Sequence, residues 1–261
     1  MIDFDVEIAQ LTPFVGDRAA NAERIIKVVQ ESRADLIVFG ELSATGYSYD
    51  LDFRSMAGRI DGLKEVARRE KKHIVYGTPI LEEGGLYNSL VLVTPKGDEI
   101  YRKIHLPHFG PFREKDFFSE GGEVKVEDTD LGRIGLMICY DISFPELART
   151  LMVKGAEVVI CISASPPQSR PFFEKVLPAR AAENSSFLVY VNLCGFQRKL
   201  QFWGGSGVYD PWGKEMARAK YMEEDRVVIH LDRKDLENAR EQRPMKRDVK
   251  DWLLPAIGRR V

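Results

Sequence analysis

The sequence predicts an α/β fold of layered sheets covered by helices. Short apolar runs, the mark of strands buried on both faces, alternate with segments of helical spacing. Hairpin signals are mixed in among them, which excludes a purely doubly wound parallel sheet. With 261 residues and 44% hydrophobic content, the chain can bury a large core. No Pro/Gly/Ser-rich linker, low-complexity tract or repeat interrupts it. The expectation is a single domain over residues 1–261, with its core at about 1–241 and a tail at 242–261.

In chain order, Val6 to Leu11 reads as a strand. Arg18 to Arg33 is predicted helical from the spacing of Ala22, Ile25, Ile26 and Val29. Leu36 to Phe39 is a doubly buried strand, Gly62 to Lys72 a helix and His73 to Gly77 a strand. Tyr87 to Thr94 and Glu99 to Ile104 flank a Pro95-Lys96-Gly97-Asp98 turn, a hairpin signal. Ile134 to Ile138 is an apolar strand that ends at Cys139, and Pro145 to Lys154 a helix with proline in its first turn. Val158 to Ser163 and Phe187 to Leu193 are strands on either side of a helix at Arg170 to Asn184, which contains Pro178. Gly207 to Glu215 repeats the hairpin pattern, Val227 to Leu231 is a last strand and Arg233 to Arg240 a last helix. Gln242 to Val261 shows little regular pattern.

Lys plus Arg number 38 and Asp plus Glu 40, a formal net charge of -2. That balance argues against a nucleic-acid binder. The start, Met1-Ile2-Asp3-Phe4-Asp5, lacks the charged and apolar segments of a secretory signal, and no stretch has the length of a membrane span, so the expected location is cytoplasmic. Charged residues at 30%, with few Asn and Gln, are compatible with heat adaptation. The three cysteines, Cys139, Cys161 and Cys194, are odd in number and widely spaced, unlike a disulfide framework. His73, His105, His108 and His230 show no zinc spacing, and there is no glycine-rich phosphate loop. No metal site is expected.

Three residues carry the chemistry. Cys139 stands between a buried strand and a helix start, a sharp turn of the kind that presents nucleophiles beside backbone N–H groups. Taken alone, a buried structural cysteine is the commoner case. Glu41 closes the apolar strand Leu36 to Gly40. A carboxylate there is either a surface or capping group or, with its pKa raised by burial, a general base. Lys103 in Tyr101-Arg102-Lys103-Ile104-His105-Leu106 is an ordinary strand-end lysine or an oxyanion-stabilising ammonium. Cys161 and Cys194 lie in apolar runs and read as core. His105 reads as a structural hydrogen-bonder, and Asp141 and Glu146 as helix caps.

Together these segments resemble the nitrilase superfamily of carbon–nitrogen hydrolases. Gly40-Glu41-Leu42-Ser43-Ala44-Thr45-Gly46-Tyr47 resembles its PEL-x-x-x-GY signature and Tyr101 to Leu106 its Y-R-K-x-H-L signature. Gly135 to Glu146 resembles G-x-x-I-C-Y-D-x-x-F-P-E. Arg180-Ala181-Ala182-Glu183-Asn184, Asn192, Gly195, Gly205 to Gly207 and Pro211-Trp212-Gly213 resemble later family positions. Gly40 departs from the family's usual proline, setting a flexible residue beside Glu41.

The resemblance implies a four-layer α-β-β-α sandwich and a catalytic set of Glu41, Lys103 and Cys139. It implies a second glutamate, Glu114, from Phe112-Arg113-Glu114-Lys115-Asp116-Phe117-Phe118. It further implies the Tyr140 backbone N–H as oxyanion donor, and Tyr47, Ser163 and Ser165 as substrate-binding residues. No metal or organic cofactor is called for. Cys139-Tyr140-Asp141 is more similar to amidase members than to nitrilases or carbamoylases, which carry Trp after the cysteine, whereas Ser163-Ala164-Ser165-Pro166 is similar to glutaminase-type members. The readings are therefore an amidase on a small carboxamide, an N-carbamoyl amine hydrolase, a nitrilase, a glutaminase feeding ammonia to a partner, or a scaffold without catalysis. The expected partner is a second copy of the chain, in a homodimer or larger homo-oligomer, with no nucleic acid and no membrane. Substrate-lining loops are expected at 46–52, 108–116 and 165–172.

Overall fold

A computed structural model describes residues 3–82 and 84–250. The first sheet forms from β1 (Asp3–Gln10), β2 (Leu36–Phe39), β3 (His73–Glu82), β4 (Gly85–Val93), β5 (Asp98–Arg102) and a late strand, β14 (Asp225–Asp232). Its order is β14-β1-β2-β3-β4-β5. The strands β1, β2 and β3 run parallel, with antiparallel strands at both edges.

The second sheet uses β6 (Val126–Thr129), β7 (Gly132–Ile138), β8 (Val158–Ser163), β9 (Phe187–Asn192), β12 (Gly207–Tyr209) and β13 (Glu215–Arg218). Its order is β13-β12-β9-β8-β7-β6, again with parallel central strands. A separate hairpin joins β10 (Cys194–Gln197) to β11 (Leu200–Trp203).

The burial pattern explains the layering. Within β2 all residues are buried. Leu36 and Val38 point into the core shared with the second sheet, whereas Ile37 and Phe39 pack on the helical side. That second side is covered by α1 (Arg18–Glu31) through Ile25, Val28 and Val29, and by α2 (Leu63–Glu70) through Leu63 and Val66. The far face of the second sheet is covered by α3 (Pro145–Val153) through Leu147 and Leu151, and by α4 (Arg170–Asn184) through Phe173, Leu177 and Ala181. The result is the four-layer α-β-β-α sandwich. Two further helices follow, α5 (Arg233–Gln242) and the short α6 (Met245–Asp248).

The bounds of β2, β8 and α4 are those the sequence predicts. The strands β6, β10 and β11 are not in the sequence reading, and α6 corrects the expectation of an unpatterned tail up to residue 248. The tail residues 251–261, with Met1 and Ile2 of the start, lie outside the described residues. No helix of the described residues is long and apolar enough to cross a membrane.

Candidate active site

The site forms where the carboxyl ends of the two sheets meet. Glu41 lies two residues beyond β2, Lys103 one residue beyond β5, and Cys139 directly after β7. These strand ends are buried between the two sheets. Glu41 and Lys103 are wholly inaccessible, and Cys139 is 6% exposed. The Glu41 N–H donates to the Ser163 carbonyl at 3.3 Å, which ties the two sheets together at this level.

Lys103 is the hub. Its Nζ donates to Glu41 Oε1 and to Glu114 Oε1, each at 2.7 Å. Burial by itself would pull the lysine pKa down, but Glu114 and Glu41 outweigh it and hold the ammonium well above the ordinary lysine range. Glu41 Oε1 also accepts from Asn88 Nδ2 at 2.7 Å. Its other oxygen, Oε2, is buried without a hydrogen-bond partner among the described residues, as is Glu114 Oε2. Two carboxylates facing one ammonium leave a surplus negative charge. Burial, with Glu41 adding to it, pushes Glu114 up to about 7 against the pull of Lys103. Tyr47 donates its hydroxyl to Glu114 Oε1 at 2.5 Å and contacts the Tyr49 hydroxyl at 3.0 Å.

The thiol sits across from this cluster. Cys139 adopts φ 48°, a left-handed conformation that side chains rarely take. Asp141 pins the turn from inside. Its carboxylate accepts the Ile138 N–H at 3.0 Å, the Tyr101 hydroxyl at 2.8 Å and the His105 N–H at 2.9 Å. His105 Nδ1 lies 2.9 Å from the same carboxylate, and its ring stacks on Phe144 at 3.5 Å. Asp141 thus caps a helix start, as the sequence reading has it, but the start of the short 3-10 turn Cys139–Ser143 rather than of α3. Asp141 is fully buried and holds the cysteine turn, while α3 begins at Pro145 without a side-chain cap.

Cys139 Sγ lies 3.4 Å from Ser165 Oγ, which is 2.6 Å from Ser163 Oγ. Burial and the Glu41 charge push the thiol up to about 12, against Lys103 and the two serines. Both effects favour the neutral thiol over the thiolate. Cys161, paired with Met137 across β7 and β8, is fully buried, and burial holds its thiol well above the ordinary range. Cys194 is a buried neighbour of Thr12, 3.3 Å from its hydroxyl. Both sit in the core.

Cys139 opens onto a cavity of about 500 Å³ lined by Pro107, Phe109, Phe112, Tyr140, Ser143, Phe144, Ser165, Pro166, Ser169, Phe172 and Phe173. Two of the three expected loops contribute to it, 108–116 and 165–172; the loop 46–52 does not. Of the expected substrate contacts, Ser165 is on the wall. Tyr47 lies behind Glu114, and Ser163 is buried behind Ser165. Among the described residues no group of three or more His, Cys, Asp or Glu is placed to hold a metal.

Sequence reasoning missed Asn88 and Gly77. A Cβ on Gly77 would stand 2.2 Å from the Leu42 nitrogen and 2.8 Å from the Glu41 backbone, so only glycine lets β3 pass this close. Gly40 has a different reason from flexibility. A Cβ there would meet Leu193 Cδ2 at 2.7 Å, so Gly40 leaves room for the buried Leu193 side chain. The signal for Gly77 was its place at the end of an apolar strand; Asn88 offered none beyond being a polar residue in a hydrophobic run.

Two helix-covered sheets meeting at a buried carboxylate, ammonium and thiol define a hydrolase scaffold of the four-layer type. The model of the carbon-nitrogen hydrolase family matches residues 6–241, and the chain belongs to that family, within the nitrilase superfamily. It is 36% identical to a nitrilase of Pyrococcus abyssi, over 87% of this chain and 89% of that protein. It is 34% identical to glutamine-dependent NAD(+) synthetase of Aquifex aeolicus, over 87% of this chain but only 42% of that protein's length. A solved variant of the Nesterenkonia amidase superposes with a TM-score of 0.80 at 26% identity, covering 97% of this chain and 95% of that one. That structure carries the acetamide moiety of fluoroacetamide added covalently at its active-site cysteine.

Proposed function

We propose that this chain is an amidase that converts a small carboxamide to acid and ammonia through a thioester on Cys139. The observation that carries the reading is the buried ammonium of Lys103, held at 2.7 Å by both Glu41 and Glu114, beside a thiol that faces a cavity.

In this reading Glu41 takes the Cys139 proton as sulfur attacks the amide carbon. A neutral resting thiol calls for such a base. The new oxyanion is held by Lys103 and by the Tyr140 backbone N–H. An ammonium has three donors. Two of those of Lys103 are engaged by the carboxylates, and the third serves the oxyanion. Glu41 returns the proton to the departing nitrogen, the C–N bond breaks, ammonia leaves and the thioester remains. Water, deprotonated by Glu41, adds to the thioester, releases the acid and restores the thiol. Glu114 and Tyr47 keep Lys103 in place. The scheme needs no metal or cofactor. The Nesterenkonia neighbour supports it, since its active-site cysteine, in the same fold, carries a covalently added acetamide moiety. We also propose a homodimer as the working form and the cytoplasm as its place.

The test is ammonia release over a panel of carboxamides, N-carbamoyl amines, nitriles and glutamine, with wild type and Cys139→Ala. The proposal predicts release from carboxamides, lost in the variant while its circular dichroism is unchanged. Turnover confined to nitriles or carbamoyl amines would replace the amidase reading. Equal activity in the variant would overturn the mechanism.

A further inference from the structure

We infer that the acyl group accepted at this site is uncharged and apolar, an alkyl or arylalkyl chain rather than one ending in a carboxylate. This rests on the proposed amidase reading and adds the substrate class to it. The wall of the cavity beside Cys139 is aromatic: Phe109, Phe112, Tyr140, Phe144, Phe172 and Phe173. The polar groups on it are neutral, the hydroxyls of Ser143, Ser165, Ser169 and Tyr140 and the Cys139 thiol, and the wall carries no Lys, Arg, Asp or Glu. Its volume of about 500 Å³ is that of a small-molecule site. Phe109 and Phe172 are 54% and 46% exposed, and exposed aromatics gathered at one opening mark a binding surface.

The cations near this cavity are engaged elsewhere; in the adjoining hollow, which shares Phe109, Tyr140 and Phe144 with it, Lys115 pairs with Glu120 at 3.0 Å and His108 lies 4.0 Å from Asp116. Arg170 bonds Glu174 at 2.8 Å and lies over the Tyr221 ring at 3.8 Å. Arg180 donates to the Ile142 carbonyl and to Glu183. Arg113 pairs with Asp116 at 2.8 Å. Lys103 lies behind the thiol, between two carboxylates. The chain does build a cation-lined hollow elsewhere, from Arg240, Arg243, Lys246 and Arg247, so the neutrality of this one is local. A substrate carboxylate on this wall would lose its hydration with no counter-charge to replace it, and Glu41 and Glu114 lie behind the thiol to repel it. Glutamine, whose far end is charged, fits poorly for the same reason.

Two amides of matched length separate the cases: hexanamide and the monoamide of glutaric acid. The expected kcat/KM rises about fourfold with each added methylene from propionamide to hexanamide. Hexanamide should exceed the glutaric monoamide by about 100-fold or more, the penalty of an uncompensated charge. Phe172→Arg should raise the glutaric monoamide relative to hexanamide at least tenfold. Equal or better turnover of the acidic amide by wild type would overturn the inference. Calorimetric binding of both compounds to Cys139→Ala reads the cavity without the chemistry. The same preference there, with no hydrolysis by wild type, would reject the amidase reading and keep the apolar class. No preference in binding would reject the class itself.

Discussion

The two sheets end their central strands with the same backbone device and put opposite things on it. After β2 the chain turns through Leu42 at φ 48°, and after β7 through Cys139, also at φ 48°. The first sheet supplies charge: Glu41, Lys103 and the supporting Asn88, all wholly buried. The second supplies neutral groups: Cys139, Ser163 and Ser165, with the sulfur and Ser165 on the cavity wall. Charges interact most strongly where water is excluded, and a preorganised pair need not reorganise during reaction. In the proposed mechanism the sealed half therefore meets only the reacting carbonyl with its preset charges, and the rest of the substrate faces neutral groups. The open half decides what enters.

The comparison breaks most sharply at Lys103. Lys103→Met leaves two facing carboxylates in a sealed site. The expected cost is about 3–5 kcal/mol of folding stability, as for a buried pair stripped of one partner. An activity loss of about 10²–10³-fold should accompany it, as for a lost oxyanion donor. Urea unfolding and ammonia release measure the two. A variant of unchanged stability would mean that the charges are not sealed as described.

Gly77→Ala tests the backing of the first sheet alone. Its Cβ cannot fit 2.2 Å from the Leu42 nitrogen, so the Glu41 turn must move. The expected stability loss is about 1–3 kcal/mol, with kcat falling more than KM rises. A rise in KM alone would place the effect on the cavity instead.

The smallest expected effect is one of pH. The folded pKa of Glu114 is raised to about 7, above its ordinary value of 4.5. The folded state thus keeps this proton to higher pH than the unfolded state does. Its contribution is fully present below pH 4.5 and is lost as pH rises toward 7. Glu114→Gln should flatten that part of the stability profile by on the order of 1–3 kcal/mol. Urea midpoints at pH 5 and pH 7.5 for both proteins check the slope. Parallel profiles would show that Glu114 does not hold the proton.

Much of this comparison was legible in the sequence. Apolar runs flanked by turns delimited β2 and β8, because strands covered on both faces must be apolar throughout. The residues gathered at the site stood out through motif order rather than through any local signal. Elements with half-exposed or very short patterns did not stand out: β6 has no buried residue, and β10 and β11 close through Arg198 at φ 55°. Asn88, Asp141 as a brace and Gly77 depend on contacts between segments 34 to 47 residues apart. Periodicity carries no information at that range.

The central claim is that the sealed charges of the first sheet work through the thiol of the second. Rapid acid quench of enzyme with hexanamide, followed by peptide mass analysis, tests it directly. The account predicts an added hexanoyl mass on the peptide bearing Cys139, removed by hydroxylamine and absent from Cys139→Ala. Steady ammonia release with no acyl mass on Cys139, or with the acyl group on Cys161 or Cys194, would contradict it.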